Sequence, residues 1–527
     1  MERLNIALIH LDVRYADPEH NRKELVRLNR QAALAGARII VNTELAVSGY
    51  SFRSPEEVSS CAESMEGVSV RELAGVAAES GCYIVLGYPE VDPATGIFYN
   101  SAAVIAPDGK LLLNYRKVTA EVRWACPGSH KQDNTFDTPW GRVAVLICSD
   151  TYYGVIPRRA ALCGADLFLV SANWPGGSLD PREIWRARAR ENGCSLVACN
   201  RTGKDRTMEC QDAFSCAYAS DGSVILERSS PVSEVFHLTL PLVDGRLPSA
   251  RAESLRTRVP EHYRAMYLDM RYAADMTAYH ALPAPEIVPV YCLHGSIELL
   301  LGDAYVDSQL AEIDSVSGSV VVLPLMNAPN REEMIRTLKE ASLAHGAVIC
   351  TGIMLPNEPP ELLCCRPDGS LVHRRPGSDE FSMIDLDHLR IALLSKEESY
   401  HPESVTALAK QGCDIAVVSA MSFDAADRLV LGSRSIEQVA VAASGANISF
   451  ICMPPVDHYR WEERFSEGSE CASMEIDVEK LRKKRFFDRI DAELLLDGHK
   501  VPVSESSSIN SVGAGGRGLK EAYSLQE

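Results

Sequence analysis

Along the first half of the chain, short apolar runs alternate with longer stretches in which apolar residues recur every three or four positions. The short runs read as strands at Asn5–Asp12, Ala37–Asn42, Cys82–Tyr88, Ser101–Ala106, Lys110–Tyr115, Arg142–Cys148, Asp166–Ser171 and Cys194–Asn200. The longer stretches read as helices at Asn21–Ala35, Val68–Ser80, Pro157–Cys163 and Pro181–Asn192. Pro107-Asp108-Gly109 is a turn that joins two strands as a hairpin. Strands separated by helices predict an α/β fold with a largely parallel core sheet and short antiparallel additions.

The second half repeats this order. RPDGSLV at 366–372 echoes APDGKLL at 106–112, QGCDIAVVSA at 411–420 echoes CGADLFLVSA at 163–172, and GSVVVLP at 318–324 echoes ARIIVNT at 37–43. Several elements matched in order predict a tandem duplication, with one unit over 1–244 and a second over 289–490. Between them, 245–288 is charged and helix-prone, a linker expected to wrap an edge or bridge the halves. The Ser/Gly-rich tail 501–527 is expected to be disordered.

At 527 residues the chain exceeds one ordinary core. Its 46% hydrophobic and 24% charged content is that of a globular protein. A net charge of −19 argues against nucleic acid or an anionic membrane surface as partner, since both call for clustered basic charge. No apolar run reaches the roughly 18 residues of a membrane span. MERLNIALIHLDVRYADPEH turns charged too soon for a signal peptide and reads as a first strand. Sixteen scattered cysteines without a CxxC pair fit free thiols in a reducing compartment, so a cytoplasmic location is expected. Neither metal-ligand spacing nor a Gly-rich phosphate loop is present, so no metal or cofactor is expected.

Three reactive residues sit at the ends of predicted strands: Glu44 in NTELAVSGYSF, Lys117 in LLLNYRKVTA and Cys148 in VAVLICSDTYY. Each has an ordinary reading alone: a carboxylate at a helix N-terminus, a solvated surface charge, a small core hydrophobe. Strand carboxyl ends, however, are where α/β proteins gather their sites, and these three can converge on one crevice.

With these motifs in order, the chain resembles the nitrilase superfamily, the carbon–nitrogen hydrolases with a Glu-Lys-Cys triad. LVSANWP at 169–175 and RARARENGCSLVACNRTG at 186–203 support the resemblance, which covers the first unit. It implies an αββα sandwich with Cys148 as nucleophile, Glu44 as base and Lys117 as fixed positive charge. A backbone N–H at Ser149 would help hold the oxyanion. A second family glutamate before a Pro-Gly turn fits Glu121, although the segment from Lys117 is shorter than the family's and the usual histidine after the lysine is absent. Substrate contacts are expected from Tyr50, Trp124, Tyr152 and Trp174. Cys148-Ser149-Asp150 in place of Cys-Trp-Glu leans towards amidases and carbamoylases, with a small amide or N-carbamoyl compound as substrate partner.

Aligned through the repeat, Glu44 falls on Leu325, Lys117 on Gly377 and Cys148 on Lys396, or Ser395 with a one-residue slip. The second unit is therefore expected to be a degenerate copy. Family members dimerise by stacking two sandwiches, so the copy could act as an internal second subunit, a pseudo-dimer that could oligomerise further. Nitrile hydrolysis by the same triad, a Cys-His hydrolase, and a non-catalytic binding or regulatory protein are the alternatives.

Overall fold

The computed structural model describes residues 2–177, 179–273, 275–295, 306, 310, 311, 313, 316–455, 462–467 and 471–498. The expected tail 501–527 lies outside the described residues. In the first half, β1 (Arg3–His10), β2 (Ile39–Asn42) and β3 (Tyr83–Val91) pair in parallel. The antiparallel β4 (Phe98–Ile105), β5 (Leu111–Arg116) and β12 (Glu234–Pro241) complete a sheet of order β12-β1-β2-β3-β4-β5. A second sheet runs β11-β10-β9-β8-β7-β6. Its parallel centre is β7 (Gly141–Ile147), β8 (Leu167–Ser171) and β9 (Ser195–Cys199), and β6 (Thr135–Thr138), β10 (Ser215–Tyr218) and β11 (Val224–Arg228) flank it antiparallel.

Strands buried on both faces explain why the apolar runs are continuous rather than alternating. Leu4, Ile6 and Leu8 pack with Val143, Val145 and Leu169 between the sheets. Ala7 and Ile9, on the opposite face of β1, pack under α1 (Pro18–Leu34) and α3 (Val68–Ser80), with the short α2 (Pro55–Ser59) between these helices in sequence. The outer face of the second sheet is covered by α4 (Val155–Leu162) and α5 (Pro181–Asn192). The layers are thus helix, sheet, sheet, helix: an α/β sandwich.

The predicted helices and strands of this half are all present, within a few residues at their ends. Asn21–Ala35 begins earlier, at Pro18, because Asp17 accepts from the His20 N–H at 3.1 Å and Pro18 is pre-set for a first helical turn. The expected strands stop at Asn200, whereas three more follow. One of them, β12, pairs with β1 along its whole length, from Arg3↔Pro241 to His10↔Glu234.

Two further sheets lie in the second half. One has the order β18-β17-β16-β14-β13-β25, with β15 paired to β16, and the other β19-β20-β21-β22-β23-β24. The first comprises β13 (Ile287–Cys292), β14 (Val320–Val322), β15 (Met326–Asn327), β16 (Val348–Met354), β17 (Glu361–Cys365), β18 (Leu371–Arg374) and β25 (Ala472–Asp477). The other comprises β19 (Met383–Asp385), β20 (Arg390–Leu394), β21 (Ile415–Ser419), β22 (Ala440–Ser444), β23 (Ile448–Cys452) and β24 (Glu463–Glu467).

Helix Ala425–Ser433 packs on α5, and helix Pro402–Lys410 on α4. Segment 245–288 holds two short helices, Arg251–Arg256 and Met276–Tyr279, with 3-10 turns between them. It touches both halves: Arg251 pairs with Asp166 at 3.5 Å, and Arg258 with Glu403 at 3.0 Å. Among the described residues no helix is long and apolar enough to cross a membrane.

Candidate active site

The carboxyl ends of β2, β5 and β7 bring Glu44, Lys117 and Cys148 to one end of the sandwich. Glu44 is fixed through its backbone, which donates to the Ala172 carbonyl at 3.3 Å, while the Thr43 hydroxyl donates to the same oxygen. Gly87 lets β3 pass this close: a Cβ there would sit 2.4 Å from the Thr43 carbonyl oxygen and 2.9 Å from Glu44 Cα. The Lys117 N–H donates to the Asn100 carbonyl at 2.8 Å. Cys148 follows the last residue of β7 and opens a 3-10 turn with φ +44°, a conformation uncommon outside glycine and of the kind that places a nucleophile at a sharp strand end.

The charged groups form one buried cluster. Lys117 Nζ lies 2.6 Å from Glu44 Oε1 and 2.5 Å from Glu121 Oε1. Asn100 Nδ2 donates to Glu44 Oε1 at 2.8 Å and to Glu121 Oε2 at 3.0 Å, and the Tyr50 hydroxyl donates to Glu121 Oε1 at 2.5 Å. Glu44 Oε2 is buried and has no partner. The short segment after Lys117 allows this arrangement: Glu121 returns at i+4 and starts a turn in which the Trp124 and Ala125 N–H groups donate to its carbonyl. Glu121 is thus paired with Lys117, not with the neighbouring Arg123.

Two carboxylates sharing one lysine cannot have equal proton affinities. Burial, opposed by the Lys117 charge, pushes Glu44 up to about 7, and the adjacent Glu121 charge adds to the rise. Burial acts to raise Glu121 too, but the Lys117 charge and the bonds from Lys117, Tyr50 and Asn100 outweigh it and hold Glu121 below its ordinary value. Burial opposes the charge on Lys117, yet the two carboxylates keep its ammonium well above the usual lysine range. Burial and the Glu44 charge raise the Cys148 thiol, against the pull of Lys117, so the resting group holds its proton.

The arrangement therefore stores positive charge at Lys117, a carboxylate poised near neutrality at Glu44, and a protonated thiol. A base titrating near 7 predicts that kcat/KM for a reaction using it rises through about pH 7. In Glu121→Gln the repelling charge beside Glu44 is gone, so this acidic limb is expected to move to lower pH. A pH–rate profile of the variant reads the shift directly, and an unmoved or upward-shifted limb contradicts the assignment.

A cavity of about 480 Å3 opens on this cluster. Cys148, Ser149, Glu121, Tyr50, Tyr152 and Trp174 line it. Glu44 and Lys117, each 1% exposed, are not on its surface. Trp124 departs from the expectation of a substrate contact. It packs beside Phe52, centroids 6.2 Å apart, among Leu45, Val58 and Cys61, because the turn at Glu121 carries it into the wall. Tyr50 lines the cavity but also binds Glu121, a role that its place in the sequence does not indicate.

Several further residues position the site, and of these only Asp150, in Cys148-Ser149-Asp150, is marked in the sequence. Asn100 sits inside β4 and reads as an interior strand residue. Asp150 is fully buried and accepts from the Tyr115 hydroxyl at 2.9 Å, the Val118 and Thr119 N–H groups at 3.2 and 3.0 Å, and the Ile147 N–H at 3.3 Å. It therefore ties the turn at Cys148 to the turn after Lys117. Arg188 donates to the carbonyls of Thr151 at 2.8 Å and Tyr152 at 3.2 Å, and pairs with Glu191 at 2.5 Å. Two residues of the second half complete this support: Arg434 pairs with Glu191, and Glu437 Oε1 accepts from the Gly154 N–H at 3.2 Å. Among the described residues no group of three or more His, Cys, Asp or Glu side chains is placed to hold a metal ion.

Residues 5–245 match the carbon-nitrogen hydrolase family. A nitrilase from Pyrococcus abyssi is 30% identical over 267 residues, 49% of this chain and 99% of that protein. The human omega-amidase NIT2 is 31% identical over 221 residues, 39% of this chain and 77% of that protein. An amidase of the nitrilase superfamily from Nesterenkonia AN1 aligns in structure with 24% identity and a TM-score of 0.43, over 50% of this chain and 96% of that one. The chain belongs to the carbon-nitrogen hydrolase family. It is a hydrolase acting on carbon–nitrogen bonds.

Proposed function

We propose that the first half is a thiol amidohydrolase that cleaves a small amide, or an N-carbamoyl compound, through a thioester on Cys148. What carries the reading is the buried Glu44–Lys117–Glu121 cluster beside a protonated thiol at the lip of a cavity. Glu44, partly ionised near neutral pH, takes the proton from Sγ as the thiolate attacks the carbonyl carbon. Negative charge grows on the carbonyl oxygen, where the Lys117 ammonium and the Ser149 N–H would stabilise it. Glu44 returns the proton to the nitrogen, the C–N bond breaks, and ammonia leaves. Water then attacks the thioester, giving its proton to Glu44, and the acid departs with Sγ reprotonated. Glu121 keeps Lys117 charged and in place.

The omega-amidase relative supports amides as substrates and the Pyrococcus abyssi nitrilase supports nitriles, and Cys148-Ser149-Asp150 in place of Cys-Trp-Glu leans towards amides. Cytoplasmic location, with a small molecule rather than nucleic acid or membrane as partner, is part of the same proposal.

For the second half we propose a degenerate copy acting as an internal second subunit. Several hydrogen bonds recur in both halves. Leu325 N–H donates to the Ala420 carbonyl as Glu44 N–H does to that of Ala172. Arg390 N–H donates to Asp414 and its guanidinium to the Gln411 carbonyl, as Arg142 does to Asp166 and Cys163. Glu398 accepts from the Ser395 and Gly377 N–H groups, as Asp150 does from Ile147 and Val118.

These equivalences put Leu325 at Glu44 and Lys396 at Cys148. They put Pro376, not Gly377, at Lys117. The PDG count slips by one because β4 and β5 carry a bulge at Val104/Ile105. All three chemical groups are replaced in this alignment, and the helices on the outer faces of the two sheets pack against each other.

A panel of small amides, N-carbamoyl amino acids and nitriles, scored by ammonia release, tests both proposals. Release from amides or carbamoyl compounds is expected, at rates unchanged in Lys396→Ala. No release from any of them contradicts the hydrolase mechanism, and a loss of rate in Lys396→Ala contradicts a chemically silent second unit.

A further inference from the structure

Two residues of the second half, Phe487 and Arg489, line the cavity that holds Cys148. The segment that carries them is fastened across the first half. Phe487 stacks on Tyr153, centroids 4.3 Å apart and planes within 12°. Asp491 pairs with Arg159 at 3.0 Å and Glu493 with Lys131 at 3.0 Å, while Ile490, Leu494 and Leu495 are buried in the first half's core. Arg489 is thus held at the cavity by neighbours on both sides of it in sequence.

Its charge is unmatched. Arg489 is half-buried, and Nη2 donates to the Gly128 carbonyl at 3.2 Å, but no carboxylate among the described residues pairs with it. The acids next to it are committed elsewhere, Asp488 to Lys410 at 2.7 Å, Asp491 to Arg159 and Glu493 to Lys131. Arg123, also on the cavity wall, has no carboxylate partner among the described residues either. Glu121, the one acid on that wall, is already balanced by Lys117.

Two unmatched guanidinium groups on one cavity stand out in a chain with 72 acidic and 53 basic residues. A half-buried arginine left without a counter-ion beside Phe487 and Trp174 is in a place where an arriving anion is less screened than at an open surface. The planar guanidinium matches a carboxylate in particular, through two parallel N–H bonds.

We propose that the substrate is an amide carrying a carboxylate at the end remote from the scissile bond, and that Arg489, with the exposed Arg123 on the same cavity wall, is the residue that selects it. This rests on the amidase reading of Cys148. The second half then contributes a specificity-determining side chain to the site of the first.

The test uses the full chain and three amides: succinamate, its methyl ester and butyramide. Wild type is expected to favour succinamate over the ester. Arg489→Gln is expected to lower the succinamate-to-ester ratio of kcat/KM by about tenfold or more, the size of a lost charged hydrogen bond, with the change in KM. Arg489→Lys is expected to restore part of the ratio by restoring the charge. Equal use of acid and ester by wild type, or a ratio unmoved in Arg489→Gln, overturns this inference alone. Absence of ammonia from all three amides overturns the amidase reading and this inference with it.

Discussion

Cys148→Ala is expected to lower ammonia release by at least about 10^4-fold while the thermal midpoint stays near wild type, because removing a nucleophile disables every step that depends on it. The remaining groups cannot substitute. Lys117 holds its proton and Glu44 serves as the base, so neither replaces the thiol as nucleophile. Among the described residues no other thiol lines the cavity. A mild loss, tenfold or less, would mean that Cys148 is a packing residue at a strained turn and that the chemistry runs elsewhere.

The second large effect concerns Lys117. Lys117→Met is expected to abolish activity and to destabilise the first half by about 3–5 kcal/mol at pH 8, the typical result of removing one partner from a buried ion pair. Here two carboxylates lose their common cation, Glu44 fully buried and Glu121 open only to the cavity. Their folded-state pKa values would then lie above those of the unfolded chain. Carboxyls raised in this way stabilise fully below the unfolded value and lose that contribution as pH rises through the folded one. The deficit relative to wild type is therefore expected to shrink from pH 8 towards pH 5. Thermal melts of both proteins across that range measure it, and a deficit constant with pH, or absent, contradicts the shared-cation description.

Glu44 and Cys148 are legible in the sequence for a physical reason: each follows a run of buried residues, so the abrupt change to a reactive polar side chain marks the strand's carboxyl end. Lys117 ends the half-exposed edge strand β5 and stands out only by its place in the family motif. Glu121 is legible only with the family in mind, and its pairing with Lys117 at i+4 follows from the shortness of the segment between them. Asn100 carries no such mark, and Asp150 is marked only by its place after Cys148. One lies within a strand and the other within a turn, and what they do depends on which chain segments lie opposite them.

Trp124 shows the converse. An aromatic residue near the motif has no pattern of its own to say whether it faces substrate or wall. Arg489 is harder still, since it comes from the far end of the second half and its relation to Cys148 exists only once the two halves are packed. The bulge between Val104 and Ile105 has the same character: one extra residue in a hairpin moves the proposed counterpart of Lys117 from Gly377 to Pro376 without altering the PDG turn.

The support of the catalytic turn by the second half follows the same logic. Arg434 acts on Glu191, Glu191 on Arg188, and Arg188 on the carbonyls of Thr151 and Tyr152. On the proposal that the second half is a degenerate copy, its retention follows if the first site needs these contacts to hold its geometry.

The most direct test of the account is to quench the enzyme in acid during turnover of an amide it hydrolyses and to map the cysteine-containing peptides by mass spectrometry. The account predicts the acyl group of the substrate on the peptide that carries Cys148, and on no other. Turnover with Cys148 unmodified throughout, or an acyl group on a different residue, would contradict it.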